Sequence, residues 1–175
     1  MNERIYSGPF CPVAPMRFVC DEMLQGVGQW LRVAGYDTLM PQRGDSDSCV
    51  IAMAGHGERW LITRDRVIPD CKEARPFTIL LLSNGLHANL QELGGLMLLD
   101  WFYRPFSRCQ KCNSELQIPA IEQCRLVLPA RIIKQQSDFF YCPDCHKYYW
   151  KGGHVRRMFR TLRKLHLLQV TSANK

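Results

Sequence analysis

From Arg17 onward, short apolar runs alternate with stretches in which apolar residues recur every three or four positions. Arg17–Cys20 reads as a strand that ends at the acidic pair Asp21 and Glu22. Leu24, Val27, Leu31 and Ala34 then share one helical face, with Gly35 as the stop and Gly26 and Gly28 weakening the first turn. Residues 36–40 predict a second strand, followed by a polar loop over 42–45. Asp45, Ser46 and Asp47 are all helix-capping types ahead of the apolar stretch 50–54, which ends near Gly55 and Gly57. Trp60–Thr63 predicts a third strand, Pro69 interrupts any helix across 66–74, and 78–83 predicts a buried fourth strand. Residues 88–99 predict a closing helix, with a break expected at Gly94 and Gly95. Strands alternating with helices imply an α/β domain with a parallel sheet.

The two ends differ from this body. Residues 1–16 contain Pro9, Pro12 and Pro15, show no periodicity and read as an irregular arm, and Met16 is a possible true start. A boundary is expected around 103–107, where Pro105 precedes a cysteine-rich segment. Near the other end Val155, Met158, Phe159, Leu162 and Leu165 form an apolar stripe, while Arg156, Arg157, Arg160, Arg163 and Lys164 take the opposite face. The expected division is therefore an α/β domain over 17–103, a metal-held module over 104–154, and a basic amphipathic helix with its tail over 155–175.

That module carries two CxxC pairs, Cys109/Cys112 and Cys142/Cys145. Two residues between thiolates let one tight turn aim both sulfurs at a single point, and two such turns supply four ligands for a tetrahedral structural zinc. The pattern predicts a zinc ribbon. Disulfides or unrelated buried cysteines are the alternatives, but a CxxC disulfide closes a small strained ring and two such pairs do not readily arise by chance. The loop 113–141 is long and is expected to hold strands of its own. Asn113 and His146 follow the two knuckles, where positive φ is common. Cys124, His146 and His154 are possible stray ligands, although four thiolates already complete a site.

Charge sharpens the division. The net charge is +7, yet residues 1–100 carry nine Lys/Arg against twelve Asp/Glu, whereas 101–175 carry fourteen against four. An acidic body joined to a basic module suits a nuclease, one part gripping phosphates and the other holding a metal on carboxylates. The remaining cysteines, Cys11, Cys20, Cys49, Cys71 and Cys124, are scattered through apolar sequence and are expected to be reduced, buried thiols of a cytoplasmic protein. No apolar run is long enough to span a bilayer. A soluble protein is expected.

Asp21, Asp47 and Asp65 each follow, or lie close after, a predicted strand. In an open parallel sheet the carboxyl ends of the strands form one edge, so acids distant in sequence converge there. Crowded carboxylates invite Mg²⁺ or Mn²⁺, which activates water against a phosphodiester. Asp45 competes with Asp47, and Glu22 is placed to assist Asp21. Each acid also has a local alternative: Asp45 or Asp47 as a helix cap, Asp21 as a helix start, Asp65 as a turn residue. Arg64 and Arg66 flank Asp65, to neutralise phosphate or simply to be solvated. Tyr148, Tyr149 and Trp150 either stack on bases or form the core strand of the ribbon. His154 touches RNA or caps the last helix.

Several of these stretches together resemble the Mut-seven C-terminal domain family: residues 18–24 (FVCDEML), 30–37 (WLRVAGYD), 61–66 (LITRDR), 108–113 (RCQKCN), 142–145 and 149–158 (YWKGGHVRRM). The resemblance implies a PIN-like ribonuclease domain followed by a zinc ribbon, with Asp21, Asp47 and Asp65 at the family's acidic positions. This chain departs from the family in having Gln25-Gly26 and Gln29 where relatives carry a Gly-Arg pair and a later basic residue, which removes positive charge beside Asp21.

The combined expectation is a ribonuclease dependent on Mg²⁺ or Mn²⁺. Its ribbon and basic helix would grip RNA through Trp150, His154, Arg156, Arg157 and Arg160. Two other classes compete: a non-catalytic RNA-binding or ribosome-associated zinc-ribbon protein, and a protein-interaction adaptor. Salt-dependent RNA binding and metal-dependent cleavage separate the three.

Overall fold

The computed structural model describes residues 16–97 and 99–173; Cys11 and the expected arm before Met16 lie outside them. Four parallel strands, β1 (Arg17–Cys20), β2 (Asp37–Leu39), β3 (Trp60–Thr63) and β4 (Thr78–Leu80), form one sheet in the order β2-β1-β3-β4. The two central strands are almost wholly buried, which explains why they read as continuous apolar runs rather than as alternating patterns.

The order records a reversal. From β1 the chain passes through α1 (Gln25–Ala34) to the edge strand β2, then through α2 (Asp47–His56) back across β1 to β3. Right-handed crossovers in opposite directions place α1 and α2 on opposite faces, so the sheet is covered on both sides. The expected α/β architecture is correct.

Local chemistry sets the boundaries. Gly35 ends α1 at φ +102°, its N–H bonding the carbonyls of Arg32 and Leu31, and a Cβ there would stand 2.3 Å from the Arg104 carbonyl oxygen. Of the three capping candidates, Ser46 caps α2 by accepting from the Cys49 N–H at 3.3 Å. Asp45 instead closes the preceding turn by accepting from Gln42 N–H at 2.8 Å, and Asp47 is the first, exposed residue of α2. The second and fourth strands are shorter than expected. β4 stops at Leu80 because the amides of Leu82 and Ser83 turn away to the Glu92 carboxylate.

Two expectations are corrected. The closing helix α3 (Leu86–Met97) is unbroken at Gly94: this glycine is buried where a Cβ would lie 3.1 Å from Trp101 Nε1, so it serves close packing. The long ribbon loop meets its expectation only at its end, where residues 139–141 open the strand β5; before that it holds two short helices, α4 (Ile121–Val127) and α5 (Ala130–Gln135), with Pro129 between them, and the single bridges Arg108 with Glu115 and Gln117 with Tyr141. Glu122, Gln123, Arg125 and Leu126 in α4 are good helix formers.

The ribbon hairpin is β5 (Phe139–Cys142) against β6 (Lys147–Trp150), antiparallel. The chain then enters α6 (Gly153–Ala173), about 31 Å long, which packs along α3 and buries Met158, Leu162 and Leu165 in the core of the α/β body. Each such burial is worth roughly 1.5–3 kcal/mol. Phe159, expected in the same stripe, is 41 % exposed but stacks on Phe106. The buried-thiol expectation fails at Cys49, which is exposed on α2, and only in part holds at Cys71.

Candidate active site and metal centre

The crevice outside the carboxyl ends of β1 and β3 is where the connections leave in opposite directions, the topological switch point at which open α/β sheets bind ligands. Asp21 follows β1 and Asp65 follows β3. Thr63, fully buried at the end of β3, joins them: its hydroxyl donates to Asp21 Oδ2 at 2.8 Å and accepts from the Asp65 N–H at 2.9 Å. The Asp21 N–H donates to the Ile62 carbonyl at 3.0 Å, extending the β1–β3 ladder up to the carboxylate itself. Asp21 Oδ1 accepts from Glu22 N–H at 2.5 Å, and Asp65 Oδ1 accepts from Val67 N–H at 2.8 Å. Both acids are thus held by short local bonds and remain partly open to solvent.

Asp47, Asp45 and Glu22 stand less centrally. Glu22 and Asp47 are exposed, and Asp45 is committed to its turn. Asp21, Asp47 and Asp65 do not close to within 4.8 Å of one another as a trio. Arg64 is half-buried and Arg66 exposed on either side of Asp65. Thr63 was not singled out in the sequence, although a hydroxyl two residues before an Asp is the signal that could have found it.

The four cysteines do converge. Their Sγ atoms all lie within 4.8 Å, with Cys112 to Cys142 at 3.3 Å and Cys109 to Cys145 at 3.9 Å. A tetrahedron of Zn–S bonds of about 2.3 Å has sulfur–sulfur edges of about 3.8 Å, so the donor set fits zinc. Asn113 and His146 take φ +76° and +54°, as the knuckle turns require. Burial raises the Cys112 thiol, but the Ser114 hydroxyl and backbone outweigh it and bring it down to about 6, while its neighbour Cys145 is pushed up to about 12 by hydrogen bonding with Cys112. Tyr149 Oη lies 3.2 Å from Cys109 Sγ, and burial and the neighbouring thiols push its phenol up. Ser114 donates in turn to Asp144.

Two further residues bind this knuckle to the body. Arg32, buried on α1, donates to Thr38 O at 2.8 Å and across to Lys111 O at 2.8 Å and Gln110 O at 3.2 Å. The Asn113 carboxamide accepts from Thr38 N–H at 3.0 Å and donates to Asp37 Oδ1 at 2.7 Å. Burial raises the Asp37 carboxyl, but bonds from Arg59 and Asn113 outweigh it and hold the group below its ordinary value. An arginine flanked by Leu31 and Val33 in an apolar helix was the available signal for the first of these contacts.

The expected RNA-contact residues lie around α6. Trp150 is half-buried on β6, and His154, Arg156, Arg157 and Arg160 are exposed on the first turns of the helix. Tyr148 packs on Tyr141 with ring centroids 4.9 Å apart, and Tyr149 turns to the metal knuckle, so both are part of the ribbon's own packing.

A four-stranded parallel sheet with acids at its switch point, a four-cysteine cluster able to hold zinc and a basic helix define a mixed α/β protein with a metal-binding ribbon. The chain belongs to the Mut7-C RNAse domain family, whose model matches residues 16–162, as the resemblance implied. No curated protein and no solved structure matches it. The family points to a ribonuclease-like function with RNA as substrate. Among the described residues no helix is long and apolar enough to cross a membrane.

Proposed function

We propose that this chain is a ribonuclease that cleaves RNA phosphodiester bonds at the β1–β3 switch point, with Asp21 and Asp65 as the central carboxylates and Asp47, Asp45 and Glu22 around them. The observation that carries the reading is the Asp21–Thr63–Asp65 linkage: one buried hydroxyl bonds the carboxylate of Asp21 and the backbone N–H of Asp65, two acids distant in sequence, at the edge where α/β sheets bind ligands. The donors are all oxygens, the chemistry that suits Mg²⁺ or Mn²⁺. Mg²⁺ keeps several waters and needs only one or two direct carboxylates, so acids spaced more widely than the thiols are compatible with it. Such an ion, held by Asp21 and Asp65, would supply charge neutralisation and a more acidic water.

The residues' own work is orientation. Thr63 fixes the Asp21 carboxylate, the Val67 amide fixes Asp65, and Arg64 and Arg66 offer positive charge for a phosphate beside Asp65. Zinc, held by Cys109, Cys112, Cys142 and Cys145, is structural, since four protein ligands leave no open position. The division follows as a nuclease domain over 17–103, a ribbon over 104–154 and a basic helix with its tail over 155–175. The ribbon and helix then bind the strand through Trp150, His154, Arg156, Arg157 and Arg160.

The test is cleavage of end-labelled single-stranded and structured RNAs with added Mn²⁺, comparing the native chain with Asp65→Asn purified identically. Cleavage by the native chain alone is expected. The rival reading, a non-catalytic RNA-binding protein, draws on the local roles of the acids in turns and caps, and it takes over if neither protein cuts while both bind RNA.

A further inference from the structure

The ribbon, the segment that joins it to the body and the first turns of α6 enclose a cleft of about 350 Å³ that gathers Trp150 and His154 with further apolar residues to which the nuclease reading gives no role. It is lined by Phe106, Phe140, Trp150 and Phe159, together with the buried Val33 and Met158. Arg108, Lys151 and His154 stand at its rim, and no carboxylate lines it. A second, shallower cleft lies beside it, sharing Lys151, Val155 and Phe159 and lined by Arg156, Arg157 and Arg160. Lys151 is paired with Asp138 and Arg108 with Glu115, whereas Arg156, Arg157 and Arg160 are exposed and in none of the ion pairs among the described residues.

We infer that the aromatic cleft takes one unstacked base of a single-stranded RNA while the adjoining arginines take the phosphate of the same nucleotide. This rests on the RNA reading above and adds to it a base-binding site away from the scissile bond. The volume lies at the small end of the range for ligand pockets, roughly 300–1,000 Å³, enough for a planar ring but not for a helix or a folded segment. Aromatic side chains accept any base on its π-face, and an apolar slot that opens onto unpaired arginines matches a nucleotide's flat base and anionic backbone together. Val33 stands at the C-terminal end of α1, whereas Asp21 precedes that helix; ten residues of helix set the two about 15 Å apart. A dinucleotide cannot fill both sites.

The test uses the full-length, zinc-loaded chain carrying Asp65→Asn to prevent cleavage. Its probe is a short fluorescent single-stranded RNA and a set of the same RNA with a single abasic ribose placed at each position in turn, which leaves the phosphate charge unchanged. One position is expected to weaken binding roughly 5- to 100-fold when its base is removed. That loss is expected to disappear in Trp150→Leu and in Val155→Trp, the second of which fills the cleft. If no position matters, or the abasic loss persists in both variants, the inference is overturned and the cleft falls to a protein partner. In the Asp65-intact chain, Val155→Trp is expected to raise KM for long RNAs while leaving dinucleotide cleavage unchanged. Should the native chain bind with this base dependence but never cut, the cleft stands and the nuclease reading falls.

Discussion

Replacing Thr63 with valine probes the candidate active site most directly. The substitution conserves shape and removes one hydroxyl that makes two bonds, donating to Asp21 Oδ2 and accepting from the Asp65 N–H. A hydrogen bond to a charged group is worth about 1.5–3 kcal/mol, and an amide left without a partner costs about 1–3 kcal/mol. Both acids are partly open to solvent, so water recovers part of each, and a net loss of about 2 kcal/mol of stability is expected. The larger effect is on geometry. A freed Asp21 carboxylate samples orientations outside the narrow tolerance of a reacting constellation, and at about 1.4 kcal/mol per tenfold in rate the cleavage rate is expected to fall 10- to 100-fold. Thr63→Ser supplies the contrast: it keeps the hydroxyl and loses a buried methyl, so it is expected to lose about 1 kcal/mol of stability while keeping most of the cleavage rate. Urea unfolding and Mn²⁺-dependent cleavage of one RNA, measured on both variants, give four values. A valine variant that cuts at more than half the native rate, or a serine variant that falls as far as valine, refutes the linkage as a functional element.

Other parts of the structure make equally definite demands. Asn113→Ala leaves the buried Thr38 N–H without its acceptor and places alanine at φ +76°, so it is expected to cost about 3 kcal/mol in urea unfolding, and Asn113→Gly less because the backbone strain is relieved; equal effects of the two would remove strain from the account. The folded Asp37 carboxyl titrates below its unfolded value of about 3.9, so the stability it adds is complete above that pH and is lost as pH falls through the folded value; the stability gap between native chain and Asp37→Asn is expected to shrink in acid, and a gap that widens contradicts the assignment. Cys112→Ser is expected to lose zinc and loosen the ribbon, read by metal analysis and far-UV circular dichroism; an unchanged zinc content sinks the four-cysteine site. Arg156, Arg157 and Arg160 changed together to alanine are expected to weaken RNA binding and flatten its salt dependence with the fold intact, and an unaltered salt slope takes the helix out of the interface.

The pattern of residues along the chain already determined much of this. Continuous apolar runs at β1 and β3, the stripe of Val27, Leu31 and Ala34, and the stop at Gly35 follow from the local periods of strand and helix and from glycine's freedom at positive φ, which need no distant partner. The CxxC spacing likewise carries its chemistry within four residues, so a four-thiolate cluster able to hold zinc was legible before the knuckles were seen to meet. What the sequence could not decide depended on groups brought together from afar. Gly94 read as a helix break because its reason, the Trp101 ring and the Gln169 carboxamide pressed against it, lies beyond the helix itself. The loop 113–141 read as strands because of its length, which does not reveal whether a neighbouring sheet edge is open to it, and here most of it turned helical before β5 begins at Phe139. Thr63, Arg32 and Asn113 looked like ordinary members of a strand, a helix and a turn. Only the strand order β2-β1-β3-β4 set Asp21 and Asp65 on either side of one hydroxyl, and only the docking of the knuckle brought the Gln110 and Lys111 carbonyls to the Arg32 guanidinium. Secondary structure and metal ligation are short-range consequences of residue type. The meeting of two acids at a sheet edge is a consequence of topology, set by where the whole core packs.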